Sequence, residues 1–295
     1  LDDAAAIQAA LDGLQPSQWL VFPAGTYHQS KRLVVRTPGA VLWSEGATLH
    51  ATNPQDQAVM LAADGASIYN FTLTAVTGAR LTTPWQSRIA VYDRADRTTH
   101  LRGNVIRGNR LLHGAPGSAT ANSASAAGII VYRADAFLVA GNEVRRSLAD
   151  GIHVTAGSRN GRVLGNTVRE TGDDMIAMVS YSGSGDWRSE TAQSLAAIGS
   201  AERDKQLVRN VLIAGNDVED SLMLIRTATY RGEHGFGQWL SAMERHGVAV
   251  NVGSYLGATT VRGYAMGRME GAPSAPQLDT MRAVVRNAMK DGAFG

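Results

Sequence analysis

Ser147-Leu-Ala-Asp-Gly-Ile-His-Val154 is followed one repeat later by Thr171-Gly-Asp-Asp-Met-Ile-Ala-Met-Val179. Aligning the two stretches places Asp150 over Asp174, a separation of 24 positions (174 − 150 = 24). A coil of about two dozen residues that returns to the same place stacks equivalent residues at the spacing of neighbouring parallel strands, about 4.8 Å. The repeat therefore predicts a solenoid of parallel strands with Asp150, Asp173 and Asp174 gathered at one corner. Because like charges this close cannot all ionise without cost, we expect at least one of them to hold a proton, as an acid catalyst does.

A second repeated feature is a Gly-Asn pair that recurs along the same part of the chain. Its asparagines, which are 33, 24 and 50 residues apart, are Asn109, Asn142, Asn166 and Asn216. The last interval fits two repeats of about 25 residues. Strands of a few residues cannot bury an apolar face singly, whereas stacked coils can. We therefore predict an internal ladder of asparagine amides, which gives these residues a structural role.

The N-terminal segment predicts the beginning of such a solenoid. Residues Asp2 to Gly13, with the sequence Asp-Asp-Ala-Ala-Ala-Ile-Gln-Ala-Ala-Leu-Asp-Gly, predict a short helix with an aspartate at its N-cap. Trp19 to Phe22, followed by Pro23-Ala-Gly-Thr-Tyr27, predicts a strand and a turn. In this order, helix and turn resemble the N-terminal cap and first coil of the pectate lyase-like right-handed parallel β-helix proteins. The resemblance implies a mainly β, pectin lyase-like fold over residues 1–221, with an N-terminal capping helix.

Two stretches interrupt the repeat and predict loops that leave the stack. One runs from His113 to Ala126, and the other runs from Tyr181 to Lys205, directly after the aspartate repeat. Loops beside a site commonly carry binding groups. Tyr181, Trp187 and Arg188 are therefore candidate substrate-binding residues, as a stacking face and a cation.

After Ser221 the repeat stops, residues 222–234 fit neither period, and residues 235–295 predict alternating helix and strand. The predicted elements are helices at 235–246 and 274–290 and a strand at 248–252. Asn251 to Arg262, Tyr264-Ala-Met-Gly267 and Met281-Arg282 resemble an internal piece of the N-acyl-D-amino-acid deacylases (D-aminoacylases), metal-dependent amidohydrolases built on a TIM-like (β/α)8 barrel. The resemblance implies a fused fragment of partial βα units. Such a fragment cannot close a barrel or assemble a metal site, and we expect no deacylase activity from it.

Within the β-helix class, Asp150-Gly and Gly-Asp173-Asp174 resemble the aspartate motifs of polygalacturonase-type glycoside hydrolases. The resemblance implies that one aspartic acid protonates the glycosidic oxygen while the others activate water for inversion. Inversion needs carboxyl groups roughly 6.5 to 9.5 Å apart. The later Gly-His-Gly and Arg-Ile-Lys motifs of that family have no counterpart here, and Leu148-Ala149 replaces the usual Asn-Thr. His153, three residues after Asp150, is a further candidate for substrate contact.

Three functions remain open at this point. The first is a carbohydrate-active glycoside hydrolase that uses Asp150, Asp173 and Asp174 and needs neither a metal nor a cofactor. The second is a polysaccharide lyase, in which the aspartates hold Ca²⁺ against an acidic sugar and an arginine removes the proton; the candidate bases are Arg145, Arg169 and Arg188. The third is a non-catalytic carbohydrate-binding or structural β-helix, because Asp before Gly is also a common turn pair. In all three the predicted partner is a polysaccharide or oligosaccharide.

Composition narrows the class of partner. The chain has 28 basic and 26 acidic residues and a formal charge of +2, which gives no electrostatic reason to expect nucleic acid or an anionic membrane surface. It has no cysteine and therefore no disulfide, thiolate metal ligand or cysteine nucleophile. No apolar run approaches the ~20 residues of a membrane span. The chain begins at Leu1 without a leader sequence, and the family resemblance suggests a secreted or periplasmic protein.

Overall fold

The computed structural model describes residues 2–76, 84–93, 99–113, 127–181, 208–219, 225–230, 261–262, 265–266 and 271–293. The chain divides into two compact units, Leu1–Tyr230 and Arg231–Gly295. We describe each unit by itself.

The first unit begins with helix α1 (Ala4–Asp12) and continues as short strands, with one 3₁₀ turn at Pro84–Gln86. In chain order the strands are β1 (Trp19–Phe22), β2 (Gly25–Gln29), β3 (Leu33–Val35), β4 (Val41–Ser44), β5 (Ala47–Ala51), β6 (Val59–Leu61), β7 (Ser67–Tyr69), β8 (Thr72–Ala75), β9 (Ile89–Val91), β10 (Leu101–Arg102), β11 (Val105–Arg107), β12 (Arg110–His113), β13 (Ala127–Tyr132), β14 (Ala134–Asp135), β15 (Leu138–Ala140), β16 (Glu143–Arg145), β17 (Asp150–Thr155), β18 (Arg162–Leu164), β19 (Thr167–Arg169), β20 (Ile176–Tyr181), β21 (Leu212–Ala214), β22 (Asp217–Glu219) and β23 (Ile225–Tyr230).

These strands form three parallel seven-stranded sheets, and a small sheet pairs β10 with β14. The first sheet is β1-β4-β7-β11-β15-β18-β21, the second is β2-β5-β8-β12-β16-β19-β22, and the third is β3-β6-β9-β13-β17-β20-β23. Each coil of the chain contributes one strand to each sheet before the next coil begins. The predicted mainly β architecture, a parallel β-helix, is confirmed by this strand order.

The core lies inside the coil, between the three sheets. Along the first sheet the inward position is filled by aliphatic side chains that are at most 1% exposed, namely Leu42, Ile68, Ile106, Val139 and Val163. Successive strand residues point to opposite faces, so the residues on either side of these point outward. Burying one such side chain contributes roughly 1.5–3 kcal/mol, and the repetition of this contribution in every coil stabilises the stack.

Helix α1 covers the first coil with Ala4, Ile7 and Leu11, which are all buried. The sequence predicts an aspartate at the N-cap, and this residue is Asp3, but its side chain makes no cap hydrogen bond. Its Oδ2 instead accepts the His28 backbone N–H at 2.8 Å, because the helix start lies against β2. Asp3 therefore connects the capping helix to the first coil.

The predicted asparagine ladder is present. The Oδ1 atom of Asn142 accepts the backbone N–H of Asn109 at 3.0 Å and its side-chain amide at 3.1 Å. Asn166 does the same for Asn142, and Asn216 for Asn166. At the other end, Asn109 accepts the backbone N–H of Phe71 at 3.0 Å. Polar groups that would be unpaired in the core are thus paired coil by coil.

The interval of 50 residues between the last two asparagines is one coil, not the two that the period suggested. Asn166 and Asn216 bond to each other directly, and β18 pairs with β21 in register from Arg162↔Leu212. The additional residues lie between Tyr181 and Val208, mostly in the predicted loop. Because the insertion lies within one coil, the two asparagines remain neighbours in the ladder although 50 residues separate them in sequence. The repeat period alone therefore gave the wrong number of coils.

The third sheet continues beyond the predicted end of the β-helix at residue 221. All six residues of β23 pair in parallel register with β20, from Ile176↔Ile225 to Tyr181↔Tyr230. This strand lies within residues 222–234, which the sequence predicts to be a junction outside the repeat. The segment Ile-Arg-Thr-Ala-Thr-Tyr is rich in β-branched residues, but no Gly-Asn pair after residue 216 marks it as part of a coil.

In the second unit, the predicted C-terminal helix is present as α2 (Ala275–Lys290), with the Ser274 N–H donating to the Gln277 side chain at 2.9 Å. Residues 261–262 and 265–266 are also helical. The predicted helix at 235–246 and strand at 248–252 lie outside the described residues. The TIM-like interpretation is not confirmed, since the described part of this unit contains no strand. No helix among the described residues is long and apolar enough to span a membrane.

One cation is buried in the core without an acidic partner among its acceptors. The guanidinium of Arg88 donates to the carbonyl oxygens of Leu49, Thr74 and Gln57 and to the Gln29 side chain. Burial lowers the pKa of Arg88 to about 9, so the group stays charged at neutral pH. It ties the second sheet to the third in the first coils, where no asparagine ladder runs.

We predict that replacing Asn142 with Ala destabilises the first unit by about 2–4 kcal/mol, because it leaves buried partners in both neighbouring coils unsatisfied. The change is measured as the shift in the midpoint of urea unfolding. Asn53→Ala is the control, since its side chain accepts only one exposed local bond, from the Gln55 N–H. Equal midpoints for the two variants would contradict a stabilising ladder.

Candidate active site

The structure brings Asp150, Asp173 and Asp174 together, as the repeat predicts. Asp150 is the first residue of β17, and the register Ile152↔Ile176 places Asp174 beside it in the next coil. One carboxylate oxygen from each aspartate lies within 4.8 Å of the other two. Asp150 is 7% and Asp174 is 2% exposed, while Asp173 is partly exposed. Asp150 and Asp174 are thus the buried members of the cluster, and Asp173 is the member nearest to solvent.

Both oxygens of Asp150 accept hydrogen bonds. Oδ2 contacts Nδ1 of His153 at 2.5 Å, and Oδ1 accepts the backbone N–H of Asp174 at 3.2 Å. In the Nδ1–H tautomer, His153 donates the first of these bonds. The two contacts together fix the orientation of the Asp150 carboxyl group in the cluster.

Close packing between coils, and not a turn, requires glycine at position 151. A Cβ on Gly151 would collide with the Val168 side chain and would lie 2.6 Å from the Met175 carbonyl oxygen. The Gly151 N–H also donates to the carbonyl of Asp174 at 2.9 Å. The close approach of the next coil therefore requires glycine here, and it is this approach that sets Asp150 against Asp174.

The turn before each aspartate is stabilised by its own hydroxyl group. Ser147 Oγ donates to the carbonyl of Ala149 at 3.1 Å, and Thr171 Oγ1 donates to that of Asp173 at 2.8 Å. The Gly172 N–H joins the two turns by donating to the Ser147 carbonyl at 2.7 Å. The alignment of Ser147 with Thr171 thus reflects equivalent turns that orient the acidic groups.

The gap for a catalytic water is narrower than the polygalacturonase resemblance implies. Inversion needs carboxyl groups roughly 6.5–9.5 Å apart, whereas the nearest oxygens of the three aspartates lie within 4.8 Å of one another. Asp150 and Asp174 lie at equivalent positions of adjacent coils, and Asp173 and Asp174 are neighbours in sequence. Both relations keep the carboxyl groups close together.

Of the other predicted contact residues, His153 is the one whose side chain the structure describes. His153 lies against Asp150, and its Nε2 atom is buried with no hydrogen-bond partner among the described residues. Sequence reasoning named His153 but missed this contact; the spacing of three within a strand did not indicate it. The backbone of Tyr181 ends β20, but its side chain lies outside the described residues. Trp187 and Arg188 lie outside them entirely.

Two of the arginines considered as a lyase base are engaged in ion pairs on the second sheet. Arg145 contacts Glu143 at 2.5 Å, and Arg169 contacts Asp217 at 2.6 Å and Glu219 at 2.8 Å. Both guanidinium groups are therefore held against carboxylates of the second sheet.

The donor set of the cluster is compatible with a hard cation. Ca²⁺ binds oxygen ligands at 2.3–2.6 Å, so ligands on opposite sides of the ion lie about 5 Å apart. One oxygen each from Asp150, Asp173 and Asp174 falls within that spread. These three residues would hold the ion if one binds.

Comparison with solved structures finds distant similarities. The catalytic domain of a GH87 alpha-1,3-glucanase in complex with nigerose is 18% identical, with a TM-score of 0.45, over 60% of this chain and 30% of that chain. Geobacillus virus E2 ORF18 is 14% identical over 78% of this chain and 37% of that one, with a TM-score of 0.34. The A-module of Azotobacter vinelandii mannuronan C-5 epimerase AlgE6 is 11% identical over 72% and 59%, with a TM-score of 0.33.

The chain thus spans about a third of the length of the glucanase domain, 30%. No family model matches the sequence, and no curated protein matches it. In particular, none of these comparisons supports the resemblance of residues 235–295 to the D-aminoacylases. The fold assignment rests on the strand pairing described above.

We predict that Gly151→Ala disrupts the acidic cluster and lowers the unfolding midpoint, because its Cβ has no space between two coils. Overpacking of this kind costs about 1–3 kcal/mol. Gly13→Ala is the matched control, since its Cβ would meet nothing closer than 3.5 Å. Thermal unfolding of the two variants checks this. An unchanged midpoint for Gly151→Ala would show that the coils are not this close.

Proposed function

We propose that the first unit is a carbohydrate-active enzyme, a glycoside hydrolase that cleaves a polysaccharide by carboxylate acid and base catalysis. The observation that carries the proposal is the convergence of Asp150, Asp173 and Asp174 within 4.8 Å, with two of them almost fully buried. Gathering like charges in a buried corner opposes folding, and such arrangements are concentrated at functional sites.

The hydrogen bonds suggest how the roles divide. In this proposal Asp150, which His153 and the Asp174 backbone N–H orient, is the base that takes a proton from the attacking water. A water between the acid and the base requires carboxyl groups roughly 6.5–9.5 Å apart, so the proposal includes a wider separation in the substrate complex than the 4.8 Å found here. The acid that protonates the glycosidic oxygen is assigned in this proposal to the Asp173–Asp174 pair. Asp173 is the more exposed of the pair and is the acid nearer to a bound glycan.

The substrate in this proposal is an oligosaccharide or polysaccharide. Tyr181, Trp187 and Arg188 remain predicted binding residues, as they follow the acidic strand directly in sequence. Glycan rings bind well to aromatic faces, and a cation suits an acidic sugar.

A polysaccharide lyase is the second candidate, because the three carboxylate oxygens match the spread of Ca²⁺ ligands. With Arg145 and Arg169 paired to carboxylates, the base would be Arg188 or another group. A non-catalytic carbohydrate-binding β-helix is the third. The products of a single incubation distinguish the three.

We predict that the chain releases reducing ends from one of a panel of acidic and neutral polysaccharides, and that Asp174→Asn lowers the rate by about 10²–10⁴-fold. Asp217→Asn, on the second sheet, is the control and keeps the parental rate. Ultraviolet-absorbing ends that depend on added Ca²⁺ would replace the hydrolase with the lyase. If the parent chain binds a polysaccharide but releases no product, the non-catalytic carbohydrate-binding β-helix is the correct candidate.

We further predict that His153→Asn retains more activity than His153→Gln. The Asn amide can replace the Nδ1–H donor to Asp150, whereas the Gln amide lies nearer to the position of Nε2. Loss of a hydrogen bond to a charged group costs about 1.5–3 kcal/mol, which corresponds to a loss of roughly 10–100-fold in kcat for the Gln variant. If the Gln variant is the more active one, Nε2 and not Nδ1 is the functional atom.

A further inference from the structure

The outward positions of the first sheet are apolar except for Ser67, Arg107 and Arg162. Its seven strands are all described, and none of their outward positions is Asp or Glu. Trp19 is 57%, Val21 is 44% and Leu212 is 48% exposed. Contiguous apolar surface of this kind on a folded protein marks an interaction site.

Aromatic rings of three consecutive coils form a row on this face. We call Trp19, Trp43 and Tyr69 the aromatic strip. The ring centroids of Trp19 and Trp43 are 5.5 Å apart with the planes at 31°, and those of Trp43 and Tyr69 are 5.7 Å apart at 38°. Each separation exceeds the coil spacing of about 4.8 Å, so the rings are displaced sideways and each leaves part of its surface to solvent. The strip runs along the axis of the β-helix.

Two arginines continue the same face. Arg107 pairs in register with Tyr69 in the next coil, and Arg162 lies two coils further on. Both are exposed, and neither forms an ion pair or a side-chain hydrogen bond within the described part of the chain. Arg107 therefore presents unpaired positive charge next to the aromatic strip, and Arg162 does so two coils further along the same face.

Unpaired outward arginines are not a general property of the β-helix surface, as the second sheet shows. There, Arg110 and Arg145 both contact Glu143, and Arg169 contacts two carboxylates. The second sheet neutralises its own arginines, whereas the first sheet has no outward carboxylate to do so. A negatively charged ligand would complement these two arginines.

A second copy of the chain does not supply it. In a two-fold symmetric pair the same surface occurs on both sides. Such an interface would bring two copies of Arg107 and Arg162 together without an acidic partner on the face, and desolvating unpaired like charges is costly. Nucleic acid carries a negative charge at every nucleotide and needs a continuous basic track, which two arginines in seven coils do not make.

We propose that the outer face of the first sheet binds an acidic polysaccharide, with sugar rings against the aromatic strip and carboxylates on Arg107 and Arg162. Pyranose rings offer apolar C–H faces to aromatic side chains, and carboxylates form charge-assisted bonds with guanidinium groups. The proposal deepens the proposed function and rests on it. It assigns the substrate to the acidic class and adds a binding surface outside the acidic cluster.

The test measures binding of the full chain to polygalacturonate and to its methyl ester, which has the same backbone without the charge. We expect binding to polygalacturonate that weakens with salt and is at least 10-fold weaker for the ester. Trp43→Ala and Arg107→Gln each weaken binding at least 5-fold, while Thr48→Ala on the second sheet does not. Arg107 is exposed and unpaired within the described residues. We therefore expect the Arg107→Gln variant to fold as the parent chain does.

Equal binding of the two glycans, or no effect of either strip variant, overturns the proposal. So does equal binding of poly(dT), and so does sedimentation showing a dimer that Trp43→Ala dissociates. The outcome is separable from that of the active site. Asp174→Asn is expected to keep polygalacturonate binding, and Arg107→Gln to keep the hydrolysis of short oligosaccharides. Binding without hydrolysis removes the proposed function alone, and hydrolysis without binding at the strip removes this proposal alone.

Discussion

The structure depends on the constraint that each coil of backbone must return to the same place about 4.8 Å along the axis. The buried asparagines enforce this constraint, because each side chain bonds the backbone of the neighbouring coil and the side chain of the next asparagine. A coil that shifted by one residue would lose these bonds and leave polar groups unpaired in the core. Insertions are tolerated where they leave the coil and return to it.

The acidic cluster is a consequence of the same constraint. Asp150 and Asp174 occupy equivalent positions of adjacent coils, and Gly151 lets those coils approach. The repulsion between the carboxylates is offset locally by His153 and by a backbone N–H. The fold thus holds together a set of groups that would separate in solution. This is the kind of preorganisation that acid and base catalysis requires.

The features set by local repetition could be predicted from the sequence. Spacing and residue type are enough to predict the capping helix, the asparagine ladder and the convergence of the three aspartates. Features that depend on contacts between distant residues could not: the bond from His153 to Asp150, the burial of Arg88, and the unequal outer faces of the sheets. The sequence places Trp19 and Trp43 in predicted strands, but the contact between their rings appears only in the structure, because the register pairs Trp19 with Val41 and the two rings meet diagonally. The 50-residue interval misled because sequence length does not distinguish an insertion from a coil.

The measurement that tests the account most directly is a crystal structure of the full chain with a bound oligogalacturonide. The account predicts a glycosidic oxygen within hydrogen-bond distance of Asp173 or Asp174, with a water on Asp150 and the Asn142 ladder in register. A sugar bound only away from the three aspartates, with the cluster paired to other side chains, would contradict the central claim that the stacked coils build a catalytic corner.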